Sequence, residues 1–217
     1  MKFFSVEEKG KLLNLSIRDR GWEQSGFTVF ELLFTLLIVV LLSLFAIPLF
    51  TQSARRSGIQ NDAIALATSL EIAESLASAG QNAQLQITQF RIRFSTATNT
   101  YIPEMYDANG SPAVGWVAAP AISSTPIGFG NGVTYGSGSI TVSPSGQPAG
   151  PPSQATEIRF NTRGFPAELG ANTTKVPRGN NAVYLTDGRN NYAVTVNLLG
   201  RVQAWYYSGN QWFSVSR

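Results

Sequence analysis

LLFTLLIVVLLSLFAIPLF, residues 32–50, is a run of 19 residues without a charge. A transmembrane helix needs about 20 predominantly apolar residues. A core helix, by contrast, rarely shows apolar residues on every face for about five turns. The run is therefore read as a membrane span. Lys2, Lys9, Lys11, Arg18 and Arg20 lie upstream of it, and a basic flank stays in the cytoplasm, so the C-terminal part is exported. Arg55 and Arg56 directly follow the span on the exported side. They are a modest exception to a tendency that works by counting and leave the orientation unchanged.

A secretory signal would have a shorter apolar core, about 7–15 residues, with small residues after it. Here the small residue comes first, in Ser25-Gly26-Phe27-Thr28-Val29-Phe30-Glu31. Glu31 needs a reason: an ionisable group near the centre of a membrane helix costs about 2.5–3.5 kcal/mol, less near its end, and is by default a functional hypothesis. Gly26-Phe27-Thr28-x-x-Glu31 followed by an apolar run resembles the cleavage and methylation signature of type IV pilins and type II secretion pseudopilins. The resemblance implies cleavage after Gly26 by a prepilin peptidase and methylation of the new N-terminal amine of Phe27. It also implies an assembly role for Glu31, paired with the N-terminal amine of a neighbouring subunit. Pro48, 21 residues after Phe27, matches the helix-bending proline of such proteins. Physically, it removes a backbone donor and crowds the preceding turn.

Beyond the span, Ile59, Ala63, Leu66, Leu70, Ala73 and Ala77 recur at spacings of three and four, the pattern of an amphipathic helix that Gly80 would stop. Glu71 and Glu74 are expected on its solvated face. Gln84-Leu85-Gln86-Ile87 and Phe90-Arg91-Ile92-Arg93-Phe94 alternate as half-buried strands do. The stretch from about 96 to 156 is rich in Gly, Ala, Ser and Pro and reads as a long loop, above all Ser143–Ser153. Asp107-Ala108-Asn109-Gly110 reads as a turn, since it lacks the later acidic ligand of a calcium loop. Strand patterns then become regular at 158–160, 182–185, 192–196, 202–206 and 212–215, with short Gly-containing linkers between the last four that suit antiparallel hairpins.

The expected fold class is α+β: a long N-terminal helix, transmembrane in its first half, packed on a mainly antiparallel β-sheet head. The divisions are a leader peptide at 1–26, the transmembrane helix at 27–50, its amphipathic continuation at 51–80, and a β-rich head at 81–217 containing the loop of about 96–156.

The chain has no cysteine and no histidine. That excludes a disulfide framework, a thiolate nucleophile and the commonest general base and metal ligand. No constellation for an enzyme emerges from the scattered carboxylates, and neither cofactor nor metal is expected. Net charge is +3, but from Glu157 onward seven basic residues face three acids, a local surplus of +4.

Glu157-Ile-Arg-Phe-Asn-Thr-Arg-Gly164, followed by two strands and Leu199-Gly200-Arg201-Val202, resembles the C-terminal domain of the H-type minor pseudopilins of type II secretion and the FimT-like minor pilins. The resemblance implies a subunit that primes or caps a filament of a type II secretion system or type IV pilus. It would be anchored in the bacterial inner membrane with its head in the periplasm, and its partners would be other pilins or pseudopilins and the prepilin peptidase. The alternative it implies is a DNA-binding minor pilin for DNA uptake, contacting DNA through Arg178, Arg189, Arg201 and Arg217. Against that alternative, Gly200-Arg201-Val202-Gln203 lacks the second arginine of the Gly-Arg-x-Arg motif of DNA-binding relatives.

Overall fold

The computed structural model describes residues 27–79, 87–107, 115–130, 132–167 and 181–215. The expected leader peptide at 1–26, Arg178, Arg217 and the expected strand at 84–86 lie outside the described residues. One helix, α1 (Val29–Ala79), is followed by eleven strands among those residues. The chain divides into two compact units between Ala46 and Ile47.

The first unit contains the opening turns of α1. Its apolar side chains from Val29 to Phe45 are exposed all round, and the helix is long and apolar enough to cross a membrane. Its two hydroxyls turn back on the helix: Thr35 Oγ1 donates to the Leu32 carbonyl at 2.9 Å and Ser43 Oγ to the Val39 carbonyl at 2.7 Å. Such back-bonding lets a polar side chain sit in a medium that offers no water.

The second unit holds the rest of α1 and two antiparallel sheets. The first sheet is built from β1 (Ile87–Ser95), β2 (Thr100–Asp107), β3 (Gly115–Ala118), β4 (Ile127–Gly128), β6 (Glu157–Phe160) and β7 (Pro166–Ala167). Its order is β3-β2-β1-β6-β7, with β4 also on β2. The second comprises β5 (Thr134–Tyr135), β8 (Ala182–Thr186), β9 (Asn191–Val196), β10 (Val202–Ser208) and β11 (Gln211–Ser214), in the order β11-β10-β9-β8-β5.

The architecture is α+β, as expected from the sequence. Every residue of the periodic stripe, Ile59, Ala63, Leu66, Leu70, Ala73 and Ala77, is buried. The stripe enters one core with Ile92, Ile158 and Phe160 of the first sheet and Val183, Leu185, Val194 and Val196 of the second. Alanines at 63, 67, 73 and 77 let both sheets approach the helix backbone, while Ile59, Leu66 and Leu70 supply area. Each such side chain contributes about 1.5–3 kcal/mol on full burial.

The stretch at 96–156 departs from the sequence expectation, because β2, β3, β4 and β5 all fall in it. Pro103 disguises β2, since proline argues against an internal strand. Here it is tolerated by position: β4 pairs with Thr100 and Tyr101 and β3 with Glu104–Asp107, so Pro103 lies opposite the break between them. The Ser143–Ser153 stretch has neither helix nor strand, but it is tied to the second sheet on both sides. Trp212 Nε1 donates to the Val142 carbonyl at 2.7 Å, and the Tyr184 N–H donates to Gln154 Oε1 at 3.0 Å.

Candidate functional site

At the start of α1, Thr28 is the capping residue: its Oγ1 accepts the Glu31 backbone N–H at 3.2 Å. Threonine at the cap and glutamate three residues later is the pairing that satisfies orphan N–H groups at a helix start, and a negative charge in the first turn also suits the helix dipole. Local structure alone therefore gives Glu31 a reason to be acidic. Its carboxylate, however, is exposed amid Phe27, Val29, Phe30, Leu32 and Phe34, all exposed apolar residues. No partner for that carboxylate occurs among the described residues. Pro48 falls inside α1, and its side chain lies outside the described residues.

Arg189 and Arg201 are both exposed, but the hairpins separate them. Arg189 sits in the turn before β9 and Arg201 in the turn after it. Six strand residues span roughly 20 Å, so the two guanidinium groups occupy opposite ends of the second sheet. Arg201 lines an open groove of about 720 Å³ with Glu71, Glu74, Leu199, Gly200, Val202, Gln203, Ser214 and Val215. Glu71 and Glu74 are accordingly half-buried at the mouth of this groove rather than fully solvated. Burial, and secondarily the charge of Glu71, pushes the Glu74 carboxyl above its usual range. Two carboxylates beside one guanidinium give the groove an acidic balance, the wrong sign for a phosphate backbone.

Two turns meet beside Glu74, and they are built alike. In Asn161–Phe165 the Asn161 Oδ1 accepts the N–H groups of Arg163 and Phe165 at 2.9 and 3.1 Å. In Asn197–Arg201 the Asn197 Oδ1 accepts those of Leu199 and Arg201 at 2.9 and 3.0 Å. Each has glycine at its fourth position, with φ of 76° at Gly164 and 86° at Gly200. A Cβ on Gly200 would overlap the Gly164 carbonyl oxygen, and one on Gly164 would lie 2.6 Å from Glu74 Oε1. The repeated Asn-x-x-Gly was a readable signal for the turns. Their mutual contact was not.

The other cluster invisible in the sequence lies on the outward face of the first sheet. Register sets Arg91 opposite Glu104 on one side and Arg159 on the other, with Arg93 opposite Glu157. Two like charges side by side would repel, but Glu157 spans them, bonding Arg91 and Arg159 at 2.9 Å each. Glu104 takes Arg91 at 2.5 Å and Arg93 at 3.0 Å. The Trp116 ring lies 4.1 Å from the Arg91 guanidinium carbon and 4.8 Å from that of Arg159, a cation–π arrangement. Glu104 is only 7% exposed. Removing one member of a buried ion-pair set strands the others and costs about 3–5 kcal/mol. Glu104→Ala is expected to lower head stability by about 3 kcal/mol, read as a shift in the urea midpoint of tryptophan fluorescence. A loss below about 1 kcal/mol would mean that Arg91 and Arg93 find other partners.

Fold and site together define an α+β protein with one apolar helix near its N-terminus, long enough to cross a membrane, and a two-sheet head. Among the described residues no group of three His, Cys, Asp or Glu gathers that would hold a metal ion. No family model matches the chain, and neither a curated protein nor a solved structure matches it.

Proposed function

We propose that the chain is a minor pilin or pseudopilin, anchored in the bacterial inner membrane by residues 27–50 with its head exported to the periplasm. In that role it primes or caps the filament of a type II secretion system or type IV pilus. The observation that carries this reading is the start of α1: Glu31, whose carboxylate has no partner among the described residues, is the single charge in the otherwise uncharged, exposed stretch from Phe27 to Phe45 that follows Gly26. A carboxylate there is costly to keep in lipid and gains a purpose if a neighbouring subunit presents a cation. The partners are then other pilins or pseudopilins through the helix, and the prepilin peptidase before assembly. DNA binding draws less support, because Arg189 and Arg201 stand at opposite ends of the sheet and Arg201 shares its groove with two carboxylates.

Expression in a host that has a prepilin peptidase tests the reading. Intact-mass and N-terminal peptide analysis should find a chain that begins at Phe27 and carries a methylated amine. Recovery of only the full-length, membrane-bound chain would overturn the proposal.

A further inference from the structure

We propose that Arg55 and Arg56, with Arg189 on the adjoining turn, form a collar that binds anionic phospholipid headgroups at the periplasmic surface of the membrane. The proposal requires insertion of residues 32–50 into a bilayer, but not filament membership. It accounts for two arginines on the side of a span where basic residues are disfavoured.

Position along the helix comes first. Phe50, the last residue of the apolar run, is 76% exposed. Arg55 and Arg56 follow it by five and six residues, about 7.5 and 9 Å along a helix rising 1.5 Å per residue. The polar layer on each side of a hydrocarbon core is about 5–8 Å thick, and an arginine stem can reach back toward the interface. Both guanidinium groups therefore fall within reach of headgroup phosphates when Phe50 marks the hydrocarbon edge.

Packing then places further charge at the same end of the head. Arg55 lines a cleft of about 540 Å³ with Gly58, Gly130, Val133 and Asp187. Asp187 opens the turn that carries Arg189, whose backbone N–H it accepts at 2.9 Å. The Arg56 guanidinium lies 5.9 Å from the centre of the Tyr206 ring on β10, which holds it against the second sheet while leaving it exposed.

Two acids lie nearby, Asp62 and Asp187, and against three arginines they leave a surplus of one positive charge. Asp62 accepts the Gly130 N–H at 2.8 Å. Asp187 is taken up by its own turn, where Asn190 donates from its backbone at 2.6 Å and from its side chain at 2.8 Å. Among the described residues, none of the three arginines forms an ion pair. They are exposed cations on and next to the stretch of α1 that follows residue 50, of the sign that an anionic surface attracts. Arginine also suits this partner chemically, since its planar fork matches phosphate oxygens in pairs.

A basic residue near an anionic membrane surface favours it by about fivefold. The full chain should be placed in nanodiscs of phosphatidylcholine and phosphatidylglycerol at three to one, and the lipid retained after mild detergent extraction quantified by mass spectrometry. The wild type is expected to retain phosphatidylglycerol above its share in the bilayer at low salt, with the enrichment fading at high salt as Debye screening shortens. R55Q/R56Q/R189Q should return the retained lipid to the bilayer ratio, while R55K/R56K/R189K should keep most of the enrichment. Inorganic phosphate at constant ionic strength should leave it in place. Enrichment that persists in the glutamine variant, or that free phosphate abolishes, would overturn the proposal. A chain that carbonate washes extract from the bilayer would instead refute the anchor itself, and the collar with it. Failure to join a filament would leave the collar standing.

Discussion

Gly200→Val is expected to cost the head about 2–5 kcal/mol, a large share of the roughly 5–15 kcal/mol that holds a domain folded. Two penalties add. Gly200 has φ of 86°, a left-handed conformation that costs a residue with a side chain about 1–2 kcal/mol and suits a β-branched one least. The new Cβ would also overlap the Gly164 carbonyl oxygen. That atom is backbone, so no rotamer change relieves it, and overpacking of this kind costs about 1–3 kcal/mol or more. Gly188→Ala separates the two effects. Gly188 has φ of 82° but nothing within 4 Å of its Cβ position, so it should lose only about 1–2 kcal/mol. Urea unfolding followed by tryptophan fluorescence should rank the wild type first, Gly188→Ala second and Gly200→Val well below. Equal midpoints for the two variants would mean that the contact between the turns carries no weight.

On the proposed role as a filament subunit, Glu31→Leu is expected to leave membrane insertion intact or improved and to reduce incorporation into filaments tenfold or more. Insertion follows apolarity, and the substitution removes a charge that costs up to about 3 kcal/mol in a membrane helix. Assembly follows pairing, and a tenfold loss corresponds to about 1.4 kcal/mol of lost attraction to a neighbouring subunit. Capping by Thr28 must be distinguished from pairing, because the Thr28 Oγ1 bond to the Glu31 N–H survives any side-chain change at 31. Glu31→Gln is the decisive companion: glutamine serves at the third helical position about as glutamate does, yet carries no charge. Carbonate extraction reports insertion, and co-purification with filament partners reports assembly. Normal assembly of Glu31→Gln would remove the charge from the mechanism and leave Glu31 a capping residue.

Local sequence specified whatever depends on near neighbours. The run at 32–50 carries no charge at any position, so no choice of face was needed to recognise it. The stripe Ile59, Ala63, Leu66, Leu70, Ala73, Ala77 was legible because a helix returns each side chain to the same face every 3.6 residues, and all six are buried. The hairpins β8 to β11 were legible because short turns fix their pairing within a few residues. The start of α1 belongs here too, since Thr28 and Glu31 meet within one turn.

Tertiary structure alone decided what depends on residues far apart in the chain. Arg91, Glu104, Glu157 and Arg159 become one network only because β1 pairs with β2 and β6 in a register that sequence spacing does not fix. Glu71 and Glu74 look solvated from helical spacing, and it is the β9–β10 hairpin lying alongside that half-buries them. Asn161–Phe165 and Asn197–Arg201 are separable turns in the sequence, and the fold brings Gly200 onto the Gly164 carbonyl. The sequence by itself determined an apolar helix with a lone carboxylate at its start and the α+β class of the head, because helical period and hydropathy are local. Which charges meet and which glycines cannot change was decided by packing, because those contacts join strands and turns that the chain keeps tens of residues apart.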